Sequence, residues 1–252
     1  MYLSNKDYLD ILHYYKIEIP KNKKLIKNQA ESILANKLCR CIKKIDDLVV
    51  ATDDKRIFEE VKRFGGTVVM TEKYHKNGTE RCLEVSQSLH SQFIINIQGD
   101  EPFIHPGQID KLCSVLSSDT DLATLIKRIK DPNDLDNPNV VKVVKSVDDH
   151  ALYFSRSCIP FNQSMNEISA LNLGKAYWKH IGIYAYRAEV LSQIVNLKES
   201  ELEKIESLEQ LRWIENGFKI KAAETHFEAV GINTPKDLDY LIAKMKTGAL
   251  KK

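Results

Sequence analysis

No stretch of the 252 residues approaches the ~18 consecutive apolar residues that a membrane-crossing helix needs. The opening, MYLSNKDYLDILHYYK, has neither an uninterrupted apolar core nor a small-residue cleavage site, so it does not read as a signal peptide. Excess charge of one sign is also missing. Lys and Arg number 37 against 35 Asp and Glu, a net charge of +2, which gives no electrostatic reason to expect nucleic acid or a membrane surface as partner. Cysteine is sparse and scattered. The five thiols, Cys39, Cys41, Cys82, Cys113 and Cys158, include no CxxC pair, which argues against a zinc site and for reduced cysteines in a cytoplasmic protein. No internal repeat is visible.

What is present is a core. Apolar residues make up 43% of the chain, sufficient for one large domain. The text divides into two unequal parts, 1–45 and 46–252. The first is Lys-rich and helical in pattern, with Lys21, Lys23, Lys24, Lys27, Lys37, Arg40, Lys43 and Lys44 crowded together. Ile26, Ala30, Ile33, Leu34, Leu38, Cys41, Ile42 and Ile45 follow the spacing of one amphipathic helix. In the second part, short apolar runs alternate with helical patterns. LVVATDD (48–54), TVVMT (67–71) and FIINIQ (93–98) read as strands, with helices over 57–64 and 78–90 between them. That alternation predicts parallel pairing in a layered α/β sheet, with ligands at the carboxyl ends of the strands. Helices are expected over 106–117, 202–216 and 234–246, and further strands over 122–129, 140–146, 151–157, 180–187 and 219–224.

Four segments carry polar groups suited to chemistry. Gln98-Gly99-Asp100-Glu101-Pro102 places two carboxylates at a strand end, where a hard cation such as Mg²⁺ finds oxygen ligands. His75-Lys76-Asn77-Gly78-Thr79-Glu80-Arg81 opens a helix with free N–H groups, a hydroxyl and a guanidinium fork; an ordinary helix cap explains the same letters. Arg156, in Tyr153-Phe154-Ser155-Arg156, suits a carboxylate, and His180 in KHIGIYAYR suits sugar hydroxyls. A satisfied structural histidine is the plainer reading of the latter. Glu209 and Gln210, in SLEQLRW, pair acceptors with donors on a helix face.

Taken in order, VATDD, HKNGTERC, NIQGDEPFI, ALYFSRSCIP, KHIGIYAYR, SLEQLRW and GINTPKDL closely resemble the 3-deoxy-manno-octulosonate (Kdo) cytidylyltransferases over about residues 46–246. The resemblance implies a nucleotide-diphospho-sugar-transferase-like α/β fold, a layered and mostly parallel sheet, preceded here by an irregular helical segment. It implies transfer of CMP from CTP to Kdo with release of pyrophosphate, for lipopolysaccharide synthesis. Mg²⁺ is the implied cofactor, a cytoplasmic homodimer the implied state, and CTP and Kdo the implied small-molecule partners. Position by position, Asp100 becomes the catalytic metal ligand. Asn233 stands in a second metal position, Gly78, Thr79, Arg81 and Gln98 lie around the nucleotide, and Arg156, His180, Tyr184, Glu209 and Gln210 face Kdo.

The chain departs from the family pattern in three places. The family's opening strand and triphosphate-wrapping loop are replaced by KIEIPKNKKLIKNQA (16–30), in which only the Ile-Pro and some lysines echo the family text and its glycine is missing. Asn233 replaces the aspartate of GIDTPEDL, and Asn77 stands where serine is usual. Both of the first two changes fall on the triphosphate side. They keep open an alternative: a non-catalytic relative that binds a sugar acid or dimerises.

Overall fold

The computed structural model describes residues 45–63, 65–98, 104–163, 173 and 175–227. The expected N-terminal helix, Asp100, Asn233 and the helix over 234–246 lie outside the described residues. The chain divides into two compact units, one of residues 1–75, 97–106 and 229–252, the other of 76–96 and 107–228.

In the first unit, β1 (Val49–Thr52) and β2 (Thr67–Met70) pair in parallel, with Val49 opposite Thr67 and Thr52 opposite Met70. A parallel pair requires a crossover, and α1 (Lys55–Arg63) supplies it, burying Ile57 and Val61. Asp54 starts the helix. Its Oδ1 accepts from the Arg56 N–H at 2.8 Å, and the Arg56 guanidinium beside it holds the carboxyl down at about 2. Gly65 ends it with φ of 75°, which lets Gly66 N–H reach the Val61 carbonyl at 2.9 Å. Asp54, read from sequence as a polar strand tip, is thus a helix cap.

The second unit is built on β7 (Trp178–Arg187), the longest described strand. It pairs antiparallel with β4 (Leu122–Arg128) from Trp178 to Tyr186, with a bulge at Gly182 and Ile183. Its other edge is shared: β3 (Phe93–Asn96) meets Tyr184 to Arg187, and β5 (Lys142–Lys145) meets Trp178 and Lys179. Outside these lie β6 (Ala151–Ser155), antiparallel to β5, and β8 (Ile220–Glu224), parallel to β4. The α/β class expected from sequence holds. The strand directions are mixed, with parallel pairs β1–β2 and β4–β8 and antiparallel pairs around β7. The helices are α2 (Gly78–Ser86), α3 (Pro106–Cys113), the single turn α4 (Asn133–Asp136), α5 (Ala188–Val195), α6 (Glu201–Glu206) and α7 (Glu209–Glu215).

The core follows from the alternation of strand side chains. Leu122, Ile126, Val143, Phe154, Tyr184 and Tyr186 pack with Val190, Leu191 and Ile194 of α5 and with Leu211 and Trp213 of α7. The α5 helix, missed in the sequence reading, follows directly on β7, where its apolar residues read as a continuation of the strand. One expected element is corrected. The helix read over 202–216 is two helices, broken at Ser207, which adopts a left-handed conformation with φ of 51°. Ser200 starts α6 with a reciprocal capping box to Glu203. The break makes Glu209 and Gln210 the first turn of a new helix rather than the middle of an old one.

An ion pair holds the two short helices together. Arg212 Nε and Nη2 donate to the two Glu203 carboxylate oxygens at 2.7 and 2.5 Å, and Nη1 donates to the Leu197 carbonyl at 3.0 Å. Both side chains are nearly enclosed, at 13% and 10% exposure. Removing one partner strands the other charge. Arg212→Ala is expected to lower stability by roughly 3–5 kcal/mol, read from urea unfolding.

Candidate functional site

The polar groups of the second unit converge on the Glu209 carboxylate. Asn77 opens α2: its Oδ1 accepts from the Glu80 N–H at 2.9 Å as a helix cap. Its Nδ2 donates to Glu209 Oε1 at 3.0 Å. Thr79, 2% exposed, donates its hydroxyl to Glu209 Oε2 at 2.9 Å. Burial pushes the Glu209 carboxyl upward; the Thr79 hydroxyl and the Arg212 charge oppose that rise. Beside this carboxylate opens a groove of about 390 Å³, walled in part by Asn77, Ser207, Leu208 and Glu209. That size suits a small organic ligand.

Behind Glu209 lies an aromatic stack. The Tyr184 ring is 5.1 Å from Trp213, edge-on, and 5.2 Å from the His180 imidazole, which in turn meets Phe154 at 5.1 Å. Tyr184 is 7% exposed, and its hydroxyl lies beside the Thr124 hydroxyl without a well-formed hydrogen bond; the Trp213 indole N–H has no hydrogen-bond partner among the described residues. Unpaired buried polar atoms are costly, and a native structure keeps them where something else completes them. Burial drives the Tyr184 and Tyr186 phenols upward and the Cys82 thiol to about 12, so all three stay neutral at ordinary pH.

Thr124 Oγ1 lies 2.9 Å from His180 Nε2, 2.9 Å from the Ile183 carbonyl and 3.2 Å from the Ile181 carbonyl. Either partner of the Thr124–His180 contact can donate, according to the imidazole tautomer. Burial pushes the imidazole down to about 3, so the ring is uncharged at neutral pH.

Arg156 braces the break between α6 and α7. Its Nε donates to the Glu206 carbonyl at 2.7 Å, Nη2 to the Ser207 carbonyl at 3.3 Å and Nη1 to the Pro138 carbonyl at 2.9 Å. The Glu206 carboxylate answers by accepting from Arg156 N–H and from the Ser155 hydroxyl, at 2.9 and 2.6 Å. One N–H on each of Nη1 and Nη2 is left over for a ligand.

The structure thus brings together Thr79, Tyr184, His180, Glu209 and, through the brace, Arg156. Gln210 neighbours Glu209 on α7 and is 5% exposed. Gly78 is the first residue of α2 and Arg81 lies within it. Thr79, expected near the nucleotide, is spent on Glu209. Gln98 is exposed beyond the end of β3 and belongs to the other unit. Asp100 and Asn233 lie outside the described residues, and among the described residues no cluster of His, Cys, Asp and Glu is arranged to hold a metal. Sequence reading gave Asn77 no role beyond a cap and did not single out Thr124 or Trp213. The N-cap pattern Asn-Gly-Thr-Glu was a signal for the first; the other two sit in apolar-looking strand and helix text.

A mixed sheet wrapped by helices, with a polar groove on one side, is the frame of a nucleotidyltransferase. The chain matches the Cytidylyltransferase family model over residues 21–220. It is 50% identical over 201 residues to the 3-deoxy-manno-octulosonate cytidylyltransferase of Cytophaga hutchinsonii, covering 79% of this chain and 80% of that one. It is 47% identical over 206 residues to the enzyme of the same name from Parabacteroides distasonis, with coverage of 79% and 82%. Among solved structures, a CMP:2-keto-3-deoxy-manno-octonic acid synthetase complexed with CTP superposes with a TM-score of 0.79 at 35% identity, covering 86% of this chain and 88% of that chain. The chain belongs to the cytidylyltransferase family. The matched span begins inside the Lys-rich segment, ahead of the position near residue 46 where the resemblance by motifs starts.

The buried His180 gives stability a predictable acid limb. Its folded value lies below the unfolded one, so its contribution is complete above about pH 6.5 and is lost as pH falls toward about 3. Between pH 7 and pH 5 the native chain is expected to lose about 2 kcal/mol through this group. In His180→Gln that part of the pH dependence disappears, as urea unfolding at the two pH values will show.

Proposed function

We propose that the chain transfers CMP from CTP to Kdo. The anomeric hydroxyl of the sugar acid attacks the α-phosphorus of CTP, a P–O bond forms to the sugar, and the bond to pyrophosphate breaks. The observation that carries this reading is the Glu209 carboxylate, held by Asn77 Nδ2 and the Thr79 hydroxyl at the wall of the groove. The buried Tyr184 phenol and the neutral His180 imidazole packed against it lie behind this carboxylate. Such a set recognises several hydroxyls at once. The uncommitted N–H groups of Arg156 suit the sugar acid's carboxylate. Relatives at 43–50% identity carry the name of this activity, which supports the same assignment.

Catalysis of this kind rests on positioning and charge neutralisation rather than covalent chemistry. Mg²⁺, which the resemblance implies, would be held by Asp100 and Asn233 and would supply part of that neutralisation. The reading extends to a homodimer working in the cytoplasm. Leu152 on the edge strand β6 and Phe161 beyond it, 57% and 87% exposed, offer apolar surface for such a contact.

Pyrophosphate release with CTP, Kdo and Mg²⁺ tests the proposal, run beside Asn233→Asp. Release that requires both substrates is the expected result. No release from either protein, with Kdo binding still measurable, would establish the alternative of a sugar-acid binder without catalysis. Tyr184→Phe sharpens the test. It deletes a hydroxyl that makes no well-formed hydrogen bond with its Thr124 neighbour, so thermal stability is expected to change little. The KM for Kdo is expected to rise about tenfold, the loss of one hydrogen bond to substrate. A fall in stability without a change in KM would make Tyr184 structural.

A further inference from the structure

Asn77 performs two tasks with two different atoms. Its carboxamide oxygen closes the start of α2 by accepting from Glu80 N–H, while its Nδ2 donates to Glu209 across 132 positions of sequence. A serine in its place, the usual residue in the resembling family, has one oxygen for both tasks and a shorter reach. The carboxamide separates acceptor from donor on a rigid fork. Asn77 and Glu209 also wall the same groove. The Nδ2 donor and the Thr79 hydroxyl take one oxygen each, at 3.0 and 2.9 Å, so the carboxylate plane is fixed from one side. The remaining lone pairs are left for a ligand in the groove.

We propose that Asn77 is a positioning residue for sugar-acid recognition: its amide anchors α2 and clamps Glu209 as an oriented acceptor for substrate hydroxyls. The inference rests on the sugar-acid reading given above. The clamp has electrostatic work to do. Burial favours the neutral form of Glu209, and the nearby carboxylates Glu203 and Glu80 favour it further. Arg212 and Thr79 oppose them. Tyr184, Tyr186 and Cys82, which also feel Glu209, are neutral at ordinary pH and do not compensate its charge. A neutral Glu209 would donate from one oxygen and lose half its acceptor capacity.

Asn77→Asp separates the clamp from the cap. Aspartate caps a helix as well as asparagine does, so α2 stays formed, but the donor facing Glu209 becomes a second carboxylate. The two cannot both ionise freely at this spacing. Carbon-13 titration of the glutamate side-chain carboxyls, with Glu209 assigned through Glu209→Gln, reads the effect without any substrate. The Glu209 midpoint is expected to rise by about one unit or more in Asn77→Asp, and by less in Asn77→Ala. In pyrophosphate release at pH 7, KM for Kdo is expected to rise about tenfold in Asn77→Asp, with KM for CTP holding near its original value. An unchanged Glu209 midpoint overturns the proposal, as does a parallel rise in KM for both substrates. If the unmodified chain neither turns over nor binds Kdo, the proposed function fails. The titration then decides the clamp alone: a shifted midpoint sustains it, an unshifted one removes it.

Discussion

The Glu209 carboxylate is the joint on which the second unit turns. It gathers donors from the start of α2, 130 and 132 positions earlier in the chain, and brings them against α7. The joint works because the chain breaks at Ser207. A helix running straight through residues 202–216 would carry Glu209 past α2 on a mid-helix face. The left-handed turn at Ser207 redirects it, and the turn is itself held from two sides. Arg156 donates to the Glu206 and Ser207 carbonyls, while the Glu206 carboxylate accepts from Ser155 and Arg156. Backbone strain at one residue is thereby offset by hydrogen bonds from the end of β6. The groove, the carboxylate and the brace form one mechanical assembly.

Around that joint the structure accepts costs that a folding-only design would avoid. Tyr184 and Trp213 bury polar atoms that make no well-formed hydrogen bond among the described residues. His180 is kept neutral by desolvation, and Glu209 is desolvated more than its partners make good. These groups sit on β7 and α7, where Tyr184 and Trp213 belong to the same apolar cluster as Leu122, Phe154, Leu191 and Leu211. Buried polar groups gathered near a groove fit a surface shaped for a ligand.

Much of this was legible in the letters, and the limits have physical causes. The strands β1, β2, β4 and β8 were readable because each is a compact apolar run bounded by turn residues. The helix α5 was not, because AEVLSQIV follows the strand with no polar interruption and periodicity cannot separate the two. The break at Ser207 was hidden because no glycine or proline marks it; it depends on Arg156 and Glu206, which only the fold brings near. Asp54 and Asn77 were visible as polar residues at strand and helix ends, and both are helix caps. That Asn77 also reaches Glu209 is a tertiary fact with no local signature. The site residues Arg156, His180, Tyr184, Glu209 and Gln210 came from an ordered series of motifs rather than from any one of them. Each alone suited a bland structural role, and Arg156 does in fact perform one.

Of the chain's three departures from the family pattern, two fall in segments that the resemblance gives to the triphosphate, and one, Asn77, lies against Glu209. Recognising sugar hydroxyls requires donors and acceptors within a few tenths of an ångström and a narrow range of angles. Such a wall tolerates little drift, and here it is assembled from buried, mutually braced groups. A triphosphate is recognised chiefly by charge, which acts across roughly a Debye length, about 8–10 Å. Lysine is a point charge on a flexible stem and can serve from several backbone positions. Lys21, Lys23, Lys24 and Lys27 lie within the span the family model matches, in a segment whose wording differs from the family's loop. Asn233 stands where the family pattern has aspartate, an exchange that keeps an oxygen and gives up a charge. If charge is what these segments supply, lysines at other backbone positions can replace it, and the altered wording is compatible with a working enzyme.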